Sequence, residues 1–219
     1  VATGRPIGEP LTGHSAQVTG VALSPDGTTL ATTGGDGTAR LWDAMTGEPI
    51  DEPFTGHPRG AAGTEFSPDG TMLAVGSHGG IILLWDVETH QLMGEPLDAG
   101  GARTWDLAFS PDGQILAAAC EDGMLRLWDV ATGLPIGPPL NSQFSATFGV
   151  DFSPDGSILA TSGKGDGKAG TVRFWDMNPE AWRERACAIA GRNLTQAEWE
   201  RYLPDVPYTV TCKQWPAGE

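Results

Sequence analysis

The sequence predicts an all-β protein assembled from four copies of one structural unit. The strongest observation is the tetrapeptide SPDG, which begins at Ser24, Ser67, Ser110 and Ser153, with 43 residues between consecutive copies. A constant period of this length is typical of repeat architectures. Composition supports the same prediction, because 31 Gly and 17 Pro in a chain that is 39% hydrophobic supply many tight turns between short apolar strands.

Each unit is predicted to form four short antiparallel strands. In the first unit the strands are expected near residues 18–24, 29–33, 38–42 and 49–54. Pro-Asp-Gly, Asp-Gly and Thr-Gly turns separate them, and Asp and Gly favour such turns because both tolerate the positive φ angles of tight hairpins. A Trp-Asp pair ends the third strand of every unit, at Trp42, Trp85, Trp128 and Trp175. The last step is 47 residues long, so the fourth unit contains a four-residue insertion.

The motifs Gly13-His14, SPDG, Asp36-Gly37 and Leu41-Trp42-Asp43 resemble those of the WD-repeat β-propeller family. The resemblance covers residues 1 to about 177 and implies four-stranded antiparallel blades, with repeats near 12–54, 55–97, 98–140 and 141–177. In that family a hydrogen-bonded tetrad of His, Ser or Thr, Asp and Trp ties each blade together. The resemblance therefore implies a structural tetrad in the first repeat, formed by His14, Thr32, Asp36 and Trp42.

The later repeats depart from this pattern. Gly79 replaces the turn Asp in the second repeat, Gly100 replaces the His in the third, and the fourth lacks the Gly-His pair. Each lost hydrogen bond removes about 0.5 to 1.5 kcal/mol of net stabilisation. We expect the later blades to rely more on apolar packing.

The first residues repeat a sequence found later in the chain. Val1–Gly4 is identical to Val130–Gly133, which follows a Trp-Asp pair, so residues 1–11 are expected to be the outer strand of a truncated blade or of a blade that closes the ring. The resemblance implies seven or eight blades in a complete ring, whereas four are present. Upstream repeats, a partner chain, or two copies forming an eight-bladed ring would each supply the remainder.

Residues 178–219 are predicted to form a short helical extension. Asn178 is a plausible N-cap, Pro179 suits the first helical position, and Gly191 suits the end of the helix. This segment resembles the C-terminal extension of actinobacterial WD-repeat multidomain proteins, in which a signalling ATPase, kinase or protease module precedes the repeats. The resemblance implies the sensor end of a bacterial signalling protein.

Charge and hydrophobicity restrict the classes of partner. The formal net charge of −15 repels phosphate backbones and anionic lipid, so neither nucleic acid nor a membrane surface is expected to bind. No apolar run approaches the roughly 18 residues of a membrane helix. We predict a cytoplasmic protein whose partners are proteins or peptides.

No pattern of residues predicts catalysis, a metal site or a cofactor. Gly165, Gly167 and Gly170 fit GxGxxG, but this loop joins two strands instead of a strand and a helix, so we expect a flexible turn. Cys120 is expected to be a buried small residue. Cys187 and Cys212 form a disulfide in an oxidising compartment or remain two packed thiols in a reducing one.

A candidate partner-binding site emerges from comparing equivalent positions of the four repeats. The first column contains Gln17, Gly60, Arg103 and Ala146. The second column, two residues later, contains Thr19, Ala62, Trp105 and Phe148. The third column, which precedes the hairpin Asp, contains Gly35, His78, Glu121 and Gly165. The resemblance implies that these columns line the top face near the central opening. Arg103, Trp105 and Phe148 are candidate hot-spot residues because Arg and aromatic side chains dominate interface energies, with Glu121 and His78 flanking them. The alternative is that Trp105 and Phe148 fill space between blades.

The sequence thus favours a noncatalytic protein–protein interaction scaffold or sensor module. Two alternatives stay open. In the first, the chain is the C-terminal portion of a multidomain enzyme whose catalytic module lies upstream. In the second, it is a propeller half that assembles with another copy of itself.

Overall fold

The computed structural model describes residues 8–57, 59–165 and 170–178, and within them the predicted all-β architecture is confirmed. The regular elements of these ranges are strands that form four antiparallel sheets, called blades 1 to 4 in chain order. The strands of blades 1 and 2 are β1 (Val18–Leu23), β2 (Thr29–Gly34), β3 (Ala39–Asp43), β4 (Pro49–Phe54), β5 (Ala61–Phe66), β6 (Met72–Ser77), β7 (Ile81–Asp86) and β8 (Leu92–Asp98). Those of blades 3 and 4 are β9 (Thr104–Phe109), β10 (Ile115–Cys120), β11 (Met124–Asp129), β12 (Leu140–Asn141), β13 (Ala146–Phe152), β14 (Ile158–Lys164) and β15 (Thr171–Asp176).

The SPDG turns explain why every blade begins in the same way. In blade 1 the Ser24 hydroxyl donates to Asp26 at 2.6 Å and accepts from the Thr29 amide at 2.9 Å, which joins the end of β1 to the start of β2. Gly27 has a φ of 73°, a conformation that side-chain-bearing residues rarely adopt. The Ser-Asp hydrogen bond recurs at 2.6 Å in the other three blades. The turn is therefore built locally by four consecutive residues.

The hydrophobic core lies between consecutive blades. The innermost strands β1, β5, β9 and β13 pack next to one another in chain order. One cluster joins blades 1 and 2 and contains Ala39 and Leu41 from β3 with Ala61 and Phe66 from β5. A second cluster joins blades 2 and 3 through Ile82 and Leu84 of β7 and Leu107 and Phe109 of β9. Each blade thus uses one face toward the preceding blade and the other toward the following blade.

The outermost strands vary more than the inner three. β12 contains only two residues, and a single bridge between Trp128 and Pro135 stands outside it. Pro135, Pro138 and Pro139 occupy the segment that would pair with β11, and proline has no backbone N–H to donate. Blade 3 is therefore held at its outer edge by fewer hydrogen bonds than blades 1 and 2.

Blade 4 contains three strands among the described residues, where the sequence predicts a four-stranded blade. The segment predicted to be an outer strand, residues 1–11, is described from residue 8 onward, and residues 8–11 are not in a strand. They lie instead against blade 1, where Leu11 and Trp42 line one cavity of about 690 Å³. A Cβ atom added to Gly47 would lie only 2.9 Å from Cδ2 of Leu11.

The predicted helical extension lies outside the described residues apart from Asn178, as do Cys187 and Cys212. The chain divides after Phe174 into two units, and residues 175–178 are the described part of the second.

Candidate functional site

Inner strands β1, β9 and β13 each contain a β-bulge near their first residue. In β9, Thr104 pairs with Cys120 and Asp106 pairs with Ala119, which leaves Trp105 without a residue opposite it. The same irregularity leaves Phe148 unpaired in β13. Bulges change the direction of a side chain and are frequent next to functional sites. The column of Trp105 and Phe148 is therefore set apart by backbone geometry as well as by residue type.

Arg103, Trp105 and Phe148 form one contact cluster, which we call the Arg-aromatic cluster. The Arg103 guanidinium carbon lies 3.6 Å from the centroid of the Trp105 ring, a cation–π arrangement. Trp105 and Phe148 meet edge to face, with ring centroids 5.5 Å apart and an interplanar angle of 82°. Their contact joins blades 3 and 4, so the pair does contribute to packing between blades. Phe148 is nevertheless 46% exposed and presents apolar surface to solvent.

Two donors of the cluster have no hydrogen-bond partner within the described part of the chain. They are Nε of Arg103 and Nε1 of Trp105, both buried atoms. These atoms donate only, so a carbonyl or carboxylate oxygen is their fitting partner. A buried donor without a partner is costly to the folded state.

One member of the third column, which contains His78 and Glu121, differs from the sequence prediction. His78 and Glu121 occupy equivalent places, because their amides donate to the carbonyls of Gly60 and Arg103 at 3.0 and 2.9 Å. In blade 4 the residue paired with Ala146 is Lys164, not Gly165. The column was placed before the hairpin Asp, and Asp166 lies one residue later in its repeat than Asp36 and Asp122 do in theirs, which shifts the column by one. Lys164 is an exposed cation that the sequence comparison missed.

The electrostatics around the cluster combine both signs of charge. Burial lowers the pKa of His78, nearby Arg103 lowers it further, and Glu121 opposes both effects. Burial likewise lowers the pKa of Arg103, with Glu121 acting in the opposite direction. His78 is therefore neutral near pH 7, and Glu121 is the carboxylate that balances the cation of the cluster.

The four residues of the implied structural tetrad are hydrogen-bonded to one another in blade 1. His14 Nε2 lies 2.9 Å from the Thr32 hydroxyl, and Trp42 Nε1 donates to that hydroxyl at 2.8 Å. His14 Nδ1 lies 3.1 Å from Asp36. Burial acts to raise the pKa of Asp36, but donation from the Ser15 amide and from Thr38 outweighs it and holds the pKa below its usual range. These contacts link the segment before β1 to β2, β3 and the turn between them, and the side chains of His14 and Asp36 are buried.

A second cavity lies where Gly100 replaces the His of the tetrad. It has a volume of about 460 Å³ and is lined by Gly100, Arg126 and Trp128 among others. Arg126 forms a salt bridge of 2.7 Å with Asp122, so its charge is already paired. The equivalent position of blade 1, which retains His14, has a larger cavity of about 690 Å³, so the missing imidazole does not account for this one.

Residues typical of catalysis or metal binding are not brought together in the described ranges. No group of three or more His, Cys, Asp or Glu side chains there has the spacing of a metal site. Burial raises the pKa of the Cys120 thiol to about 11, so this cysteine is not a thiolate at neutral pH. Gly167 of the GxGxxG match lies outside the described residues. Within the described ranges, no helix has the length and hydrophobicity needed to cross a membrane.

Comparison with protein-family models identifies the repeat. The model of the WD domain, G-beta repeat, matches residues 4–43, 47–86, 98–129 and 142–176, which together make up more than half of the chain. The chain belongs to the WD-repeat family. Such repeats indicate a β-propeller scaffold for protein–protein interactions, a class of domain that is generally noncatalytic. Comparison with curated proteins gives no match.

Proposed function

We propose that this chain is a noncatalytic scaffold that binds a protein segment at the Arg-aromatic cluster. The observation that carries the proposal is the contact of Arg103, Trp105 and half-exposed Phe148 at the bulged start of the inner strands. Arg and large aromatic residues supply most of the binding energy at protein interfaces. A single rigid cluster of all three favours one anchor point over a diffuse contact surface.

The chemistry of the cluster favours a peptide with an aromatic or aliphatic side chain next to an exposed carbonyl or carboxylate. The apolar side chain packs on half-exposed Phe148, and the oxygen accepts from the terminal N–H groups of the Arg103 guanidinium. Lys164 adds a second positive charge, while Glu121 disfavours an acidic residue on the His78 side. The ligand is therefore amphipathic, and its negative charge is limited to one end.

The wider setting rests on sequence resemblance alone. We place the scaffold at the sensor end of a cytoplasmic bacterial signalling protein, because residues 178–219 resemble the extension of such proteins. A catalytic module upstream would make the same chain the regulatory part of an enzyme.

The test begins with a phage-displayed random peptide library selected on the 219-residue chain. Affinities of the selected peptides are then measured by fluorescence polarisation for the wild type and for Arg103→Ala, Trp105→Ala and Phe148→Ala. We expect Kd to rise at least tenfold for Trp105→Ala, since a hot-spot residue contributes about 2 kcal/mol or more. Arg103→Ala is expected to weaken most strongly the peptides that have a free carboxylate at the contact.

Gln17→Ala is the matched control, because Gln17 occupies the blade 1 position equivalent to Arg103 and is exposed. We expect the Gln17→Ala variant to bind the selected peptides with the same Kd as the wild type. Selected peptides that bind all three alanine variants as tightly as the wild type, or a library that yields no binder, would contradict the proposal.

A further inference from the structure

The two ends of the row of blades expose apolar side chains at positions that are buried in the interior of the row. Leu23 of β1 is 57% exposed, whereas Phe66, its equivalent in β5, is 4% exposed. Val18 and Val21 are also exposed, and their equivalents Ala61 and Thr64 are buried. We call Val18, Val21 and Leu23 the entry face of the row.

The opposite end shows the same contrast. Phe174 of β15 is 72% exposed, whereas Leu127, its equivalent in β11, is 4% exposed. Val172 is exposed, and its equivalent Leu125 is fully buried. We call Val172 and Phe174 the exit face. Singly exposed apolar residues are common, but faces that are buried wherever a neighbouring blade exists are surfaces built to be covered.

The entry and exit faces are the two halves of an interface that the chain already forms internally. Between blades 1 and 2, the exit-type residues Ala39 and Leu41 share a cluster with the entry-type residues Ala61 and Phe66. Between blades 2 and 3, Ile82 and Leu84 are the exit-type residues, and Leu107 and Phe109 are the entry-type residues. An exit face therefore has a known complement in this molecule, and that complement is an entry face.

A hydrogen bond between blades 1 and 2 shows the same complementarity between end faces. At the interface of blades 1 and 2, the Thr33 hydroxyl of β2 donates to the Ala62 carbonyl of β5. In blade 4 the equivalent of Thr33 is Ser162, and in blade 1 the equivalent of Ala62 is Thr19. A blade 1 that packs on blade 4 would therefore place the Thr19 carbonyl opposite the Ser162 hydroxyl.

We infer that the occupant of both faces is a second copy of this chain, and that two copies close head to tail through two identical interfaces. A heterologous interface produces a closed ring or an open filament. Because a single copy leaves its own entry and exit faces exposed, two copies are the smallest closed set that covers them all. Continuity with the internal blade interfaces is the argument for this occupant. The net charge of −15 on each copy opposes association, so the pair is expected to tighten as added salt screens the repulsion.

The experiment measures the mass of the full chain by sedimentation velocity over a hundredfold range of concentration, at low and at raised NaCl. We expect a limiting mass of twice 23.0 kDa. Leu23→Asp on the entry face and Phe174→Asp on the exit face are each expected to weaken self-association at least tenfold. Val172→Ser is a milder second variant on the exit face, and circular dichroism verifies that each variant is folded.

Mixing the two Asp variants tests whether the interface is heterologous. Leu23→Asp keeps an intact exit face and Phe174→Asp keeps an intact entry face, so an equimolar mixture regains one sound interface and forms more dimer than either variant alone. Leu134→Asp is the matched control, because Leu134 is 64% exposed and lies between the two end faces in sequence, in the turn after β11. Its mass distribution is expected to match that of the wild type.

Several results would overturn the inference. A wild-type mass of 23.0 kDa at every concentration would mean that the chain covers its own end faces or leaves them bare. Continuous growth beyond the dimer would indicate an open filament instead of a closed pair. A dimer that both Asp variants leave intact would place the contact elsewhere on the molecule.

Discussion

Blades 1 and 2 share the same His and Trp but give them different surroundings. In blade 1, Thr32 provides a hydroxyl to both His14 and Trp42. In blade 2, the equivalent of Thr32 is Val75, and Nε2 of His57 and Nε1 of Trp85 have no hydrogen-bond partner among the described residues. One missing hydroxyl thus leaves two buried nitrogens unpaired.

The second blade replaces polar contacts with apolar ones. Val75 is fully buried in the cluster that joins blades 1 and 2. Trp85 stacks at a tilt against Phe54 with ring centroids 5.0 Å apart, and Phe54 also contacts His90. The comparison shows that His and Trp stabilise a blade through hydrogen bonds only where Thr and Asp are present with them. Where those partners are lost, the same two side chains serve as bulky core residues.

Thr32→Val is the largest expected perturbation, because it gives blade 1 the environment of blade 2. The change removes the hydroxyl that His14 and Trp42 both contact, while the volume of the side chain is almost unchanged. A buried polar group left without a partner costs about 1 to 3 kcal/mol, so we expect the free energy of unfolding to fall by about 2 to 4 kcal/mol. Urea denaturation measures this change.

Thr29→Val on the same strand is the control for β-propensity and hydrophobicity. Thr29 is partly buried, and its hydroxyl contributes no contact to the tetrad. A loss in Thr32→Val no larger than that in Thr29→Val would show that the two nitrogens of blade 1 gain nothing from their shared partner.

The next prediction concerns pH and uses His57→Leu. Burial lowers the pKa of His57 to about 4, below the value near 6.5 of an unfolded chain. Between these two values the unfolded state binds the proton and the folded state does not, so stability falls as pH drops from 6.5 toward 4. We expect the wild type to lose about 2 kcal/mol more than His57→Leu between pH 7 and pH 4.5.

Glu65 makes an opposite contribution that is common to both proteins. Burial raises the pKa of Glu65 to about 7, with Asp106 and Asp151 acting in the same direction, so its protonated form stabilises the fold as pH falls below 7. The difference between wild type and variant therefore isolates His57. His14→Leu is the matched change in blade 1, and we expect it to be the more destabilising of the two at pH 7 because it breaks hydrogen bonds. Parallel pH profiles for wild type and His57→Leu would contradict the assignment.

The regular parts of the fold were predictable because local turn chemistry determines them. The strands expected near 18–24, 29–33, 38–42 and 49–54 correspond to β1–β4, since the Ser24-Asp26 hydrogen bond and the positive φ of Gly27 are properties of the tetrapeptide itself. Proline content near Pro135 likewise indicates a weak outer strand in blade 3. These features depend on neighbouring residues and recur at a fixed period.

Features that depend on contacts between distant residues were harder to predict. The bulge at Trp105 leaves no mark on the alternation of residues, because it depends on the register with β10. Lys164 was within reach of the sequence, because it lies 43 residues after Glu121, but taking the residue before Asp166 moved the column by one. The effect of Val75 was available in principle, since comparing the column of Thr32 across repeats would have shown a missing hydroxyl beside a retained His57 and Trp85.

The smallest expected effect belongs to Val75→Thr, which reverses the comparison by giving blade 2 the hydroxyl of blade 1. The new hydroxyl would stand between His57 and Trp85 as Thr32 does between His14 and Trp42. Gains from two hydrogen bonds are offset by placing a polar group in the cluster that Val75 now occupies, so we expect a net increase in unfolding free energy of about 1 kcal/mol. Val75→Ala controls for lost packing and is expected to destabilise the fold. If Val75→Thr also destabilises it, apolar packing alone holds blade 2, and the unpaired nitrogens of His57 and Trp85 are too far from position 75 to be satisfied from it.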